Sequence, residues 1–148
     1  MKQMSNTYTM EKELEEVITK LKEFISEYNK VRDSGNIALI LDLKDKILGW
    51  SFRFAELTAD LKINYNERYF IRKIAIAKTK NALIKSGTAI GKADVESMIE
   101  HEVEYKSEQE IEGLSYKADI LLRQTNMIVR AIEQRISWLK VESKQYNN

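Results

Sequence analysis

The sequence predicts an all-α fold, in which a three-helix bundle carries a long antiparallel helical hairpin as a coiled-coil-like arm. The 148-residue chain has no proline and only five glycines, so few positions interrupt a helix. Apolar residues recur every three or four positions along most of the chain. Residues 62–92 carry eight Lys or Arg and one acid, whereas residues 94–119 carry nine acids and two Lys. Two helices of opposite charge therefore adjoin a short glycine-containing segment.

The first predicted helix covers about residues 10–33. Thr9 suits the N-cap, and Gly35 suits the position just past the helix end. Its apolar stripe consists of Leu14, Val17, Leu21, Phe24, Tyr28 and Val31.

The second predicted helix covers about residues 37–86. Gly49 lies inside it at a cost of about 1 kcal/mol relative to alanine. The apolar stripe of its first half consists of Ile40, Leu43, Ile47, Trp50, Phe54, Leu57 and Leu61.

The third predicted helix covers about residues 93–145, with Gly113 as a potential kink and with Val95 and Ile99 in its apolar stripe. The segment 87–92 is interpreted as a turn. It is not a phosphate-binding loop, because no strand precedes it and Ala93 stands where a Ser or Thr is needed.

An antiparallel pairing about this turn matches apolar with apolar positions and cations with acids. It aligns Ile47 with Ile132, places Arg68 near the Glu110 region, and places Arg72 near Lys106 and Glu108. Two independent patterns thus give the same register, which supports the fold. We expect one domain over residues 1–148. Its bundle would be formed by residues 10–33, 37–60 and 118–145, and its projecting arm by about residues 61–117.

Catalysis is not predicted. No cysteine occurs, which excludes disulfides, thiolate metal sites and cysteine nucleophiles. His101 is the single histidine and has no nucleophile or second histidine to act with. A ladder of acids spaced by four is interpreted as a solvated helix face and not as a metal site: Glu96, Glu100, Glu104, Glu108 and Glu112. We expect no enzyme activity, metal, cofactor or small-molecule substrate.

A basic and aromatic stretch of the second helix is the candidate nucleic-acid-binding site. Cations can follow phosphates while aromatic rings stack on bases, as single-stranded nucleic acid requires. The alternative is that these cations pair with the acidic segment of the third helix. The candidate residues are Lys62, Tyr65, Arg68, Tyr69, Arg72, Lys73 and Lys78.

The arm also carries more apolar residues than a two-helix hairpin can bury. Apolar residues spread most of the way round this part of the second helix, which is typical of an interface. The alternative is that the first helix or a bent arm covers them. The candidate oligomer interface consists of Phe70, Ile71, Ile74 and Ile76.

A polar stretch, Gln124-Thr125-Asn126, interrupts the apolar seam of the third helix. It is either a polar layer that sets the register, as a buried Asn does in coiled coils, or it points outward.

Three features carry a resemblance to known proteins: a basic helix with tyrosines, an acidic start to the following helix, and a closing apolar pattern. The first includes Tyr65, Arg68, Tyr69 and Arg72, and the last consists of Ile128, Ile132, Arg135, Ile136 and Leu139. The sequence resembles small helical phage proteins encoded among replication and recombination genes. It is more loosely similar to the recombination mediators of T-even-like phages, short helical proteins that oligomerise and load recombinase on single-stranded DNA.

The resemblance implies a non-enzymatic, oligomerising phage protein, an accessory factor in DNA recombination or replication. It would contact single-stranded DNA or the proteins bound to it. The alternative is a protein-only binder, such as an inhibitor of a host or anti-phage defence protein, that uses the acidic ladder or the apolar arm. No apolar leader segment is visible and no apolar run approaches the ~18 residues of a membrane span. The expected location is therefore the cytoplasm, that of an infected bacterial host if the chain is phage-encoded.

Overall fold

The structure, a computed structural model, describes the backbone of residues 2–145 and the side chains of residues 8–145. Within residues 2–145 the chain forms α-helices and no strand, so the predicted all-α class is confirmed. The helices are α1 (Lys2–Val31), α2 (Ile37–Lys85), α3 (Ile90–Glu100) and α4 (Glu102–Gln145).

Helix α1 begins earlier than the predicted start near residue 10, because no glycine or proline between Lys2 and Thr9 stops it. Its end matches the prediction more closely. The Ser34 N–H donates to the Val31 carbonyl over 2.9 Å. Gly35 then takes a φ of 70°, which a residue with a Cβ rarely adopts.

Helix α2 differs from the predicted range 37–86 only at its last residue. Asn36 caps its start, since the Asn36 Oδ1 accepts a hydrogen bond from the Leu39 N–H at 3.1 Å. At its end the Thr88 N–H bonds the Leu83 carbonyl over 3.0 Å, and Gly87 has a φ of 95°. This is the Schellman arrangement, so the predicted turn is present and takes its reversal from Gly87.

The predicted third helix is interrupted at His101. This residue has a φ of −106° and a ψ of 26°, and it separates α3 from α4. Gly113, the predicted kink, lies instead within the uninterrupted α4. The interruption coincides with a specific side-chain contact, since the His101 Nε2 lies 2.9 Å from the Thr79 Oγ1 on α2.

The helices contribute to two compact units. Unit 1 comprises the residues up to Thr58 together with those from Lys117 onward, and unit 2 comprises Ala59–Tyr116. Unit 2 covers nearly the residues proposed for the arm. That the chain forms a single domain with a projecting arm stays a prediction.

Unit 1 has an apolar core to which three helical segments contribute. It includes the predicted pair Ile47 and Ile132, and Ile40 and Leu139 are buried as well. Thr125 is buried in the same unit, and its hydroxyl donates to the Leu121 carbonyl over 2.9 Å, whereas Gln124 and Asn126 are exposed. The polar stretch is therefore split between core and surface. The remaining buried apolar residues are Leu14, Val17, Leu21, Tyr28, Leu43, Phe54, Leu57, Ala118, Val129 and Ile136.

Unit 2 has an interior of a different kind. Its buried apolar residues are Leu61, Ala93 and Ile111, and they are joined by the buried polar residues Arg68, Ser97 and Glu108. A unit of this composition depends on hydrogen-bonded and ionic contacts to satisfy its buried polar groups.

Candidate functional site

The seven candidate nucleic-acid residues do not share one surface. In unit 2, Lys62, Lys73 and Lys78 are exposed, whereas Tyr65 and Tyr69 are half-buried. Arg68 is buried and Arg72 is half-buried. Two of the five candidate cations are thus turned into the unit.

Arg72 forms a two-pronged ion pair with Glu108 on α4. Its Nε and its Nη2 donate to the two carboxylate oxygens, the second over 3.1 Å. The side chains of Arg72 and Glu108 are only 15% and 3% exposed. The guanidinium also lies 5.0 Å from the centre of the Tyr105 ring. The hydrogen bond with Glu108 raises the pKa of Arg72 above its ordinary value. Arg72 therefore stays charged and bound to the Glu108 carboxylate.

Arg68 contacts α4 beside this pair. Its Nη1 donates to the Ser107 carbonyl over 3.1 Å and to the Ser107 hydroxyl over 2.6 Å. Ser107 lies almost one turn of α4 before Glu110, the region that the predicted pairing assigned to Arg68. Arg68 and Arg72 together hold α2 against α4, which is a structural use of both cations.

The two tyrosines are also engaged within unit 2. Their rings are tilted by 41° with centres 6.3 Å apart, and the Lys73 ammonium lies 4.7 Å from the Tyr69 ring centre. Burial and then the nearby carboxylate of Glu112 raise the pKa of Tyr65. A base that stacked on Tyr69 from this side would have to displace a cation.

Three exposed apolar side chains lie on one face of α2, here called the α2 stripe. They are Ile63, Phe70 and Ile74, and Phe70 is 62% exposed. Since successive helical residues are about 100° apart, these positions fall within roughly 40° of one another, opposite Arg72. Helix α2 thus has one face packed inside unit 2 and a second apolar face turned outward.

The other two candidate interface residues lie beside the α2 stripe. Ile71 is 52% exposed and adjoins the stripe on the next position of the helix. Ile76 is half-buried and belongs to the side that packs inside unit 2.

A second exposed apolar surface lies on α3, here called the α3 patch. It consists of Val95, Met98 and Ile99, of which Met98 is 62% exposed. The prediction that Val95 and Ile99 belong to a buried stripe is wrong. The small residues Ala93 and Ser97 are buried in their place.

The orientation of α3 follows from its contacts with α2. The Lys80 ammonium lies 2.5 Å from the Asp94 carboxylate, and Thr79 meets His101 at the other end of α3. The buried side chain of Ser97 has its hydroxyl bonded to the Asp94 carbonyl at 2.9 Å. Small inward residues suit a close approach of helices, and the larger apolar residues of α3 then face away.

The acidic ladder is not a uniform solvated face. Glu100 and Glu104 are exposed and Glu96 and Glu112 are half-buried, whereas Glu108 is buried. The interpretation as a solvated face is therefore wrong for Glu108. Glu108 differs in burial from an acid only one helical turn away. The signal in the sequence for its burial is its predicted partner, Arg72.

His101 is held between two elements of unit 2. Its Nδ1 lies 3.3 Å from the Glu104 carboxylate, while its Nε2 faces Thr79. A backbone hydrogen bond, and then the neighbouring imidazole of His101, lower the pKa of Glu104. Among the described residues, no group of three or more His, Asp, Glu or Cys side chains is placed to hold a metal ion.

Unit 1 contains a groove of about 370 Å³ between α1, α2 and α4. Ile25, Phe54, Leu121 and Ile128 are among its apolar lining residues, and Gln124 is among its polar ones. None of the seven candidate nucleic-acid residues lines it.

Within residues 2–145, no helix combines the length and the apolar character that crossing a membrane requires. No protein-family profile matches the sequence, and neither a curated protein nor a solved structure matches it at a significant level.

Proposed function

We propose that this protein is a non-enzymatic helical protein that works by self-association through unit 2. The observation that carries the proposal is the outward apolar face of α2. Ile63, Phe70 and Ile74 lie on the opposite side of the helix from the Arg72–Glu108 pair, so unit 2 cannot cover them by closing more tightly. Exposed apolar surface of this kind is typical of protein interfaces.

The size of this surface indicates how much of unit 2 takes part. Burying three half-exposed side chains of this type stabilises a complex by roughly 3–5 kcal/mol. Association costs about 4 kcal/mol or more in lost translational and rotational freedom. The α2 stripe alone is therefore marginal, and further exposed apolar residues of the unit must contribute to a stable interface.

Sedimentation velocity of the wild-type chain and of Phe70→Asp tests the proposal. We expect wild-type species heavier than the 17.3 kDa chain and a shift of Phe70→Asp towards the monomer. The matched control is Phe52→Asp, which alters another exposed aromatic residue of α2, in unit 1, and should leave association unchanged. A wild-type protein that stays monomeric throughout the micromolar range would refute self-association.

For the fold, we propose the arrangement expected from the sequence: a three-helix bundle in unit 1 and an antiparallel coiled-coil-like hairpin in unit 2. Buried residues from three helical segments support the first part. The Arg72–Glu108 pair and the Thr79–His101 contact, which join α2 to the segment after the turn, support the second.

A second proposed activity is contact with single-stranded DNA as an accessory factor in recombination or replication, in the cytoplasm of an infected host. The favouring observation is that Lys62, Lys73 and Lys78 remain exposed on α2 while the arginines are engaged. This activity follows from the resemblance described above, and the lysines give it a smaller electrostatic site than the sequence predicted.

A salt titration of binding to a fluorescent single-stranded oligonucleotide tests this activity. Three lysine contacts predict a log–log slope of about −2, and Gln at all three lysines should abolish binding. Gln at the exposed α1 lysines Lys12 and Lys30 serves as the control. Absent binding at low salt, together with intact self-association, would leave the protein-only binder as the function.

A further inference from the structure

We propose that the α2 stripe of one copy binds the α3 patch of a second copy of this chain. The inference rests on the proposed self-association and deepens it by naming the two surfaces that meet. The contact then joins two different surfaces. One copy contributes its α2 stripe and the other contributes its α3 patch.

The two surfaces have matching shapes. Phe70 and Ile74 are four residues apart on α2, and Val95 and Ile99 are four residues apart on α3. Each pair is an i, i+4 ridge about 6 Å long. Such ridges pack into the grooves of a neighbouring helix, which is the commonest packing mode of helices in globular proteins.

The α2 stripe is bordered mainly by positive charge. By helical position, Lys62 and Lys73 lie along one side of the stripe and Lys78 lies along the other. All three lysines are exposed. Glu67, near the centre of the stripe, and Asp60, three residues before Ile63, are the acids on this side of α2.

Four acids border the α3 patch. Asp94 and Glu96 lie on either side of it, and Glu100 and Glu102 are exposed at its C-terminal end. Lys92 pairs with Glu96 at 3.5 Å, Lys80 with Asp94 at 2.5 Å and Lys106 with Glu102 at 2.8 Å, so among the described residues Glu100 is the acid of this border without a lysine partner. The exposed lysines beside the α2 stripe and the carboxylate of Glu100 beside the α3 patch carry opposite charges, which favours contact between these two surfaces.

A single copy cannot bring the two surfaces together. Helix α3 already contacts α2 through Lys80–Asp94 and Thr79–His101. Its patch faces away from that contact, and the α2 stripe lies on the opposite side of α2 from Arg72. The complementary surface must therefore come from another molecule.

A complementation experiment with the full chain tests the inference. Phe70→Asp disables the α2 stripe and keeps the α3 patch, and Met98→Asp does the reverse. Each protein alone should associate at least about tenfold more weakly than wild type. A mixture of the two should form a one-to-one complex, because one intact stripe and one intact patch remain between them. Both residues are exposed, so far-UV circular dichroism should show unchanged helix content in each variant.

A charge-exchange pair gives an independent readout that does not disturb the apolar residues. Lys73→Glu and Glu100→Lys should each weaken self-association, since like charges then face one another. Their mixture should associate as strongly as wild type in low salt and more weakly as salt is added. If the wild type associates but neither mixture does, unlike pairing is wrong and the stripe binds its own kind. If the wild type does not associate at all, the proposed function fails together with this inference.

Discussion

Replacing Glu108 by leucine should cost this protein a substantial share of its stability. The substitution leaves the guanidinium of Arg72, whose side chain is 15% exposed, without its carboxylate partner. Removing one partner of a buried ion pair typically destabilises a protein by about 3–5 kcal/mol. The Tyr105 ring still contacts the Arg72 guanidinium in the variant, and the Arg72 side chain is partly exposed to water. We therefore expect a smaller loss of stability, about 2–4 kcal/mol.

The double variant Arg72→Met plus Glu108→Leu separates the ion pair from the space it occupies. Apolar residues of similar volume often replace a buried ion pair at little cost, so the double variant should lie within about 1 kcal/mol of wild type. Glu110→Leu, an exposed acid two residues further along α4, serves as the control and should change stability by about 0.5 kcal/mol or less.

Urea unfolding followed by far-UV circular dichroism measures all four proteins. We expect a large loss of stability for Glu108→Leu, a recovery in the double variant and little change in the control. A loss below about 1 kcal/mol for Glu108→Leu would show that this pair does not hold unit 2 together.

Three further predictions concern the turn, the acid stability and the core. Gly87→Ala should destabilise the protein by about 1 kcal/mol or more, because φ is 95° at this position. Gly49→Ala should stabilise it by about 0.5–1 kcal/mol, because Gly49 lies inside α2 and an added Cβ would have no neighbour within 4 Å. The urea unfolding midpoints of the two variants test both expectations. The lowered pKa of Glu104 means that its ionised carboxylate stabilises the folded state. This contribution is complete at pH values above the unfolded-state pKa of about 4.3, and it is lost as the pH falls through the lowered folded-state pKa. Glu104→Gln should therefore lose less melting temperature than wild type between neutral and acid pH, and a parallel pH profile would contradict the assignment. Phe54→Ala should cost about 3–5 kcal/mol because Phe54 is fully buried in unit 1, as chemical denaturation would show.

Charge sign and apolar period together predicted much of the helical arrangement. Residue type alone indicated three features of the fold: the limits of α2, the turn at Gly87 and the pairing of Arg72 with Glu108. Glycine is favoured where φ is positive, and opposite charges at matching positions select a register.

The interruption at His101 was not predictable from local sequence. No glycine or proline marks it, and the contact with Thr79 is formed by a residue 22 positions earlier on another helix. The orientation of α3 was missed for a related reason. Periodicity favoured Val95 and Ile99 as the buried face, whereas small residues and the Lys80–Asp94 pair place Ala93 and Ser97 inside.

The nucleic-acid candidates show the same limit of sequence patterns. Interleaved arginines and tyrosines are typical of a nucleic-acid surface and equally of a helix that pairs with an acidic neighbour. Their distinction depends on which way each side chain points. Arg68 and Arg72 point into unit 2, and Lys62 and Lys73 do not.

We propose that unit 2 uses its arginines internally and its outward apolar surfaces for contact with other copies of the chain. Sedimentation equilibrium of the equimolar Phe70→Asp and Met98→Asp mixture, beside each variant alone, is the decisive test. We expect a complex of twice the 17.3 kDa chain mass in the mixture and largely monomer in each separate sample. Monomer in the mixture, under conditions in which the wild type associates, would contradict it.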